Sequence, residues 1–174
     1  MSKVIFLDID GVLNGRSTRV KSSMGFTGID LKYIRALKEL IDQTGAYVVL
    51  SSDWKDCFTE DNCNPATADA DGAYLIKRLL SQGVNIMART DDQSVGKDWS
   101  TGRGFGIRKY LKAHPEVENY VILDDIKFRD FTGELEEHFV ECKCPFGKRN
   151  LKKALKILNN TGDKPCTTAK HTEN

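Results

Sequence analysis

Short apolar runs alternate along the chain with longer stretches in which apolar residues recur at helical spacing. The short runs are residues 3–8, Ala46 to Leu50, Val84 to Met87, Tyr120 to Leu123 and His138 to Cys142, and each predicts a strand. Between the first two, Leu31, Ile34, Leu37, Leu40 and Ile41 mark a helix from Ile29 to Ile41, with Asp30 as its N-cap and Thr44-Gly45 as its end. Ala73 to Leu80 and Gly106 to Ala113 predict two further helices, and Leu151 to Leu158 a final amphipathic one. Strands alternating with helices predict an α/β fold, a central parallel sheet with helices on both faces. Right-handed crossovers then bring every strand's carboxyl end to one edge. The expectation is a single domain over residues 1–158, followed by a polar, frayed tail from 159 to 174.

Composition sets limits on this picture. A chain of 174 residues, 40% hydrophobic and 29% charged, has the makings of an ordinary soluble domain with a real core. Its formal net charge of +1 gives no global case for a polyanionic partner, although a local basic face can bind one while the total stays near zero. No apolar run approaches the ~20 residues of a membrane helix, so no membrane partner is expected. The first strand follows Met1-Ser2-Lys3 directly, which leaves no room for a signal peptide. The count of 5 cysteines is odd, and Cys142-Lys143-Cys144 matches no common zinc spacing, so they read as reduced thiols of a cytoplasmic protein, with a disulfide or a structural metal as the alternative.

The chemistry gathers where the strands end. The first runs Val4-Ile5-Phe6-Leu7-Asp8-Ile9-Asp10-Gly11, two carboxylates one residue apart and then a glycine that turns the chain. Alternate residues of a strand share a face, so Asp8 and Asp10 can point together. The plain alternative is a strand end with two solvated acids. Converging carboxylates repel unless a cation sits between them, and a hard divalent ion with oxygen ligands answers that need. The fourth strand repeats the pattern as Val121-Ile122-Leu123-Asp124-Asp125. Adjacent residues face opposite ways, so one of Asp124 and Asp125 is expected to reach an ion directly and the other through water or a basic partner. The second strand ends in Ser51-Ser52-Asp53-Trp54, where a serine is also an ordinary cap for the next turn and Trp54 is expected to pack rather than to cover a substrate.

These segments together resemble the haloacid dehalogenase (HAD) superfamily, most of whose members are magnesium-dependent phosphohydrolases. In particular, Phe6 to Asn14, Val49 to Trp54, Arg103-Gly104 and Tyr120 to Asp125 resemble the small HAD domain of Swiss Army Knife RNA repair proteins. That family has serine or threonine before the tryptophan and arginine after it, where this chain has Asp53 and Lys55.

The resemblance implies a Rossmann-like HAD core and a definite set of roles. Asp8 would be the nucleophile that forms an aspartyl-phosphate, and Asp10 the general acid and then base. Ser51, with Ser52 in reserve, would hold a phosphate oxygen. A lone basic residue would bridge nucleophile and phosphate, and the candidates are Arg103, at the start of the helix before strand four, and Lys97. Magnesium (Mg2+) would be held by Asp8, the Asp10 carbonyl and one or both of Asp124 and Asp125.

Substrate size follows from what the chain lacks. Between Asn14 and Asp30, and between Trp54 and Arg103, there is room for loops but not for a cap domain, so the site is expected to be open. An open site suits a bulky phosphorylated substrate such as an RNA or DNA end. Asn14, Ser52, Arg16 and Lys97 are the substrate-binding candidates. Arg16, Arg19 and Lys21 either grip phosphates flanking the scissile one or form an ordinary solvated loop. Lys148, Arg149, Lys152, Lys153 and Lys156 read as the solvent face of the last helix. Two other functions stay open: a small-metabolite phosphatase with residues 55–71 as a lid, and a phosphate-binding protein without turnover.

Overall fold

The computed structural model describes residues 2–91, 102–143 and 145–160. Five strands, β1 (Ser2–Leu7), β2 (Tyr47–Leu50), β3 (Ile86–Arg89), β4 (Val117–Asp124) and β5 (Phe139–Glu141), form one sheet in the order β3-β2-β1-β4-β5. Every neighbouring pair is parallel. This is the α/β core that the alternation of elements predicts. β1 sits at its centre, and Val4, Ile5, Phe6 and Leu7 are all buried, as a central parallel strand covered on both faces requires.

The helices are α1 (Leu31–Thr44), α2 (Ala70–Leu80), α3 (Arg103–Ala113), the short α4 (Glu134–Glu137) and α5 (Lys148–Leu158). Asp30 caps α1 by accepting from the Lys32 amide at 3.1 Å, and Gly45, in the left-handed region, closes it with its amide on the Ile41 carbonyl. Two apolar layers flank the sheet. Ile5, Leu7, Val48, Leu50 and Leu123 pack with α1, α2 and α5, while Val4, Phe6, Val49, Tyr120 and Ile122 pack with Ile107 of α3 and with Phe128, Phe131 and Leu135.

Several boundaries differ from those read in the sequence. α2, α3 and α5 each begin three residues earlier, because the polar first turn of a helix shows no apolar period. β4 extends back to Val117, and β3 starts at Ile86 because the Val84 amide is bonded to Leu79 in the turn after α2. A 3-10 turn at Asp53–Cys57 and the four-residue α4 are too short to carry a period. Among the described residues neither connection after β1 nor after β2 carries a cap domain. Lys97, most of the 90–102 segment, Cys144 and the tail beyond residue 160 lie outside the described residues. Cys57, Cys63 and Cys142 are free thiols. No described helix is long and apolar enough to cross a membrane.

Candidate active site

The two-residue period of the strands decides which side chains meet. Val4 and Phe6 of β1, Val49 of β2 and Tyr120 and Ile122 of β4 face α3. Continuing each strand in register carries Asp8, Ser51 and Asp124 to that same face at the carboxyl edge. Backbone bonds hold the extension in register: the Asp8 amide donates to the Leu123 carbonyl at 2.9 Å, and the Ser51 amide to the Leu7 carbonyl at 2.8 Å.

Arg103, the first residue of α3, enters this corner from above. Its Nη1 donates to Asp8 Oδ1 at 2.9 Å, to Asp124 Oδ2 at 3.3 Å and to the Ser51 carbonyl, and Nη2 donates to Asp53 Oδ1 at 3.1 Å. The guanidinium carbon lies 4.8 Å from the centroid of the Phe128 ring. Asp130 fixes where α3 begins: its Oδ2 accepts from the Gly102 amide at 2.8 Å and from the Phe105 amide at 3.0 Å. Gly104 lets that approach happen, since a Cβ there would stand 2.7 Å from the Asp130 carbonyl oxygen.

Burial sets the electrostatics. Asp8, Asp124 and Arg103 are all buried. Loss of water raises the Asp8 carboxyl to about 6, against the pull of Arg103. Burial, and after it the charge of Asp8, raise Asp124 to about 8. Asp125, half-buried, is raised in the same direction by burial. One guanidinium is not enough positive charge for this group of acids.

Asp8, Asp124 and Asp125 each offer a carboxylate oxygen within 4.8 Å of the others. Oxygen-only donors, mutually repelling and partly desolvated, fit a hard divalent cation. Both members of the Asp124-Asp125 pair reach the cluster because β4 ends at Asp124 and Asp125 has left the strand. Asp125 lies across Gly11, whose φ of +75° carries no side chain into it; a Cβ there would meet Asp125 Oδ2 at 2.2 Å.

The Asp10 carboxylate stands apart from that cluster and is exposed. Asn14 Nδ2 donates to its Oδ1 at 2.6 Å, and Trp54 Nε1 to its Oδ2 at 2.9 Å. Asn14 Oδ1 in turn accepts from the Gly11 amide at 3.0 Å, so this buried amide is occupied at both ends within the turn. Trp54 does pack in the core, as expected, but its ring nitrogen also orients Asp10. The two serines differ. Ser52 Oγ accepts from the Ile9 amide at 3.3 Å and also bonds Asp8, where its effect is to lower the carboxyl. Ser51 Oγ is buried without a hydrogen-bond partner among the described residues. Arg16 is exposed in the loop after Asn14.

Beside Asp10 lies a cavity of about 540 Å³ with Trp54, Asp53, Asp71, Phe26 and Thr27 in its walls. Phe26 belongs to a small antiparallel turn closed by the Lys21–Thr27 bridge. That turn is pinned to α2, where Asp71 Oδ1 accepts from the Met24 amide at 2.9 Å and the Tyr74 hydroxyl accepts from the Ile29 amide at 3.0 Å. Sequence reasoning missed the Trp54–Asp10 bond, the Asp130 cap of α3 and the Asp71 anchor. Each joins residues on different elements, and no local pattern marks them.

A model of the family described as the HAD domain in Swiss Army Knife RNA repair proteins matches residues 4–147, a span that contains every residue of this corner. No curated protein matches the chain.

Proposed function

The chain belongs to the family of HAD domains found in Swiss Army Knife RNA repair proteins, and from that premise we propose that it is a phosphomonoesterase acting on terminal phosphates of nucleic acid. The observation that carries this reading is the meeting of Asp8, Arg103, Asp124 and Asp125 at one sheet edge, with Asp10 held separately beside them. Asp8 attacks the phosphorus in line and forms an aspartyl-phosphate, while the P–O bond to the leaving oxygen breaks and Asp10 delivers a proton to that oxygen. Asp10, now a base, takes a proton from water, which attacks the aspartyl-phosphate and releases inorganic phosphate and free Asp8. Arg103, already on Asp8 Oδ1, stabilises charge on the transferring phosphoryl oxygens. The hydroxyl of Ser51, which has no partner among the described residues, is free to complete the phosphate cradle, while Ser52 holds Asp8. Magnesium held by Asp8, Asp124 and Asp125 would neutralise phosphate oxygens and let the buried carboxylates stay charged.

Two features support a large substrate. The site lacks a cap domain among the described residues, and Asp10, which must face the leaving group, is exposed. The test is phosphate release from 5′- and 3′-phosphorylated oligonucleotides, with magnesium and with a chelator, beside Asp8→Asn. Metal-dependent release that Asp8→Asn abolishes is the expected result. Turnover retained by Asp8→Asn would overturn the nucleophile assignment, and no release from any oligonucleotide would overturn the substrate.

A further inference from the structure

The near-neutral total conceals charges sorted by segment around the site. Residues 53–71, on the cavity side of Asp10, carry six acids (Asp53, Asp56, Glu60, Asp61, Asp69, Asp71) and one base, Lys55. Residues 11–29 and 142–160 carry no acid at all, and between them they hold nine basic residues. These two acid-free segments touch. The Phe146 amide donates to the Val12 carbonyl at 2.8 Å, and a Cβ on Gly15 would lie 2.5 Å from Pro145 Cγ. The joint therefore lies next to Asn14, which holds Asp10. Arg16 follows it in one segment, and Lys148 opens α5 in the other.

From there α5 leads away from the site. Its far end reaches the other edge of the sheet, where Lys3 Nζ donates to Asn159 Oδ1 at 2.9 Å. Leu151, Ala154 and Leu158 are buried, while Lys148, Arg149, Lys152, Lys153 and Lys156 are exposed. A plain solvent face mixes signs, as α1 does with its Lys38–Asp42 pair. α5 has no acid to pair with, and among the described residues none of its five cations makes an ion pair. Lys148/Lys152, Arg149/Lys153 and Lys152/Lys156 stack like charges at i,i+4, which destabilises a helix left to itself. Along the axis these rows repeat every ~6 Å, comparable to the step between phosphates of an extended strand.

We propose that α5 and the Arg16–Arg19 loop form the track for the RNA strand behind the terminal phosphate. The strand passes Asn14 and Gly15, follows α5, and turns its back on the acidic 53–71 flank. The placement of its end rests on the function proposed above; the binding surface itself does not.

The test uses the full chain and a short fluorescein-labelled single-stranded RNA with no terminal phosphate, which cannot turn over. Anisotropy titrations across salt compare the protein with K148Q/R149Q/K152Q and with K77Q/K109Q/K112Q, which removes the same charge from α2 and α3. The α5 variant should bind at least about tenfold more weakly at low salt. Its slope of log affinity against log salt should fall by about two, three phosphate contacts at ~0.7 each. The α2/α3 variant should match the parent. Equal loss in both, or no loss in either, overturns the track. K152E alone should show a smaller loss of the same kind, which keeps the test decisive if the triple variant folds poorly. In turnover, the α5 variant should raise KM for a phosphorylated oligonucleotide, leaving its kcat and the hydrolysis of p-nitrophenyl phosphate unchanged. If the parent releases no phosphate at all, the proposed reaction fails while the anisotropy still decides the track.

Discussion

The indole of Trp54 and the carboxylate of Asp10 are joined by a 2.9 Å hydrogen bond, although the two residues come from the turns after different strands. With Asn14 on the other oxygen, Asp10 is clamped at both ends, so the group assigned to proton transfer has one orientation. Trp54→Phe keeps most of the packing and removes only the donor. A hydrogen bond to a charged group is worth ~1.5–3 kcal/mol, so kcat should fall by about tenfold or more with KM little changed. Steady-state kinetics on a phosphorylated oligonucleotide check this. An unchanged kcat would mean that Asn14 alone holds the acid.

Arg103 compensates two buried carboxylates at once, Asp8 and Asp124, and its removal should be felt in the fold before any substrate arrives. Breaking a buried charge network by deleting one partner costs about 3–5 kcal/mol. Arg103→Met should melt well below the parent in chelator and should regain more of the difference on adding magnesium than the parent gains. Arg103→Lys keeps the charge but not the fork that reaches Asp8, Ser51 and Asp53 together, so its activity should also be low. Thermal melts with and without the metal separate the two effects.

Gly11 is required twice, by its backbone and by its neighbour. Its φ is +75°, and a Cβ would stand 2.2 Å from Asp125 Oδ2. Gly11→Ala should lose about 1–2 kcal/mol from the left-handed backbone alone. It must also displace Asp125 from the carboxylate cluster. The stabilisation given by a fixed magnesium concentration should therefore shrink, which a melt series against magnesium reads directly. A full magnesium response in this variant would remove Asp125 from the set of ligands.

The parts of the site that were legible in the sequence are those written within one element. An apolar run that ends in acids shows both a central strand and what it delivers, and so Asp8, Asp10, Asp124 and Asp125 could be singled out together with the parallel sheet. Asp30 and Gly45 likewise sit where the helical period of α1 starts and stops. The contacts that orient these groups join separate elements. Nothing near Trp54 shows that its nitrogen meets Asp10, and nothing near Gly102 shows that its amide will be bonded by Asp130. Asp124 and Asp125 look opposed on a strand, yet both reach the cluster because the strand stops between them. The α5 cations are the exposed face that their sequence predicts, but that sequence cannot show that their helix starts beside the site.

The buried carboxylates should make the metal-free protein less stable as pH rises. Asp8 is raised to about 6 and Asp124 to about 8, whereas both would ionise near ~3.9 in the unfolded chain. Between those values the folded protein holds more protons than the unfolded one, so the slope of unfolding free energy against pH is negative for this pair. Their contribution is fully present below about pH 4 and is lost as pH rises through about 6 and then about 8. In chelator, the parent should lose Tm over that window relative to Asp124→Asn, which cannot ionise there and also relieves the repulsion on Asp8. Magnesium needs the deprotonated carboxylates, so its stabilising effect should be larger at pH 8 than at pH 5, with protons released on binding at the lower pH. Melts of both proteins at several pH values, with and without the metal, check all three. A parent whose metal-free Tm rises relative to Asp124→Asn from pH 5 to 8 would show that Arg103, rather than burial, controls the charge of the pair.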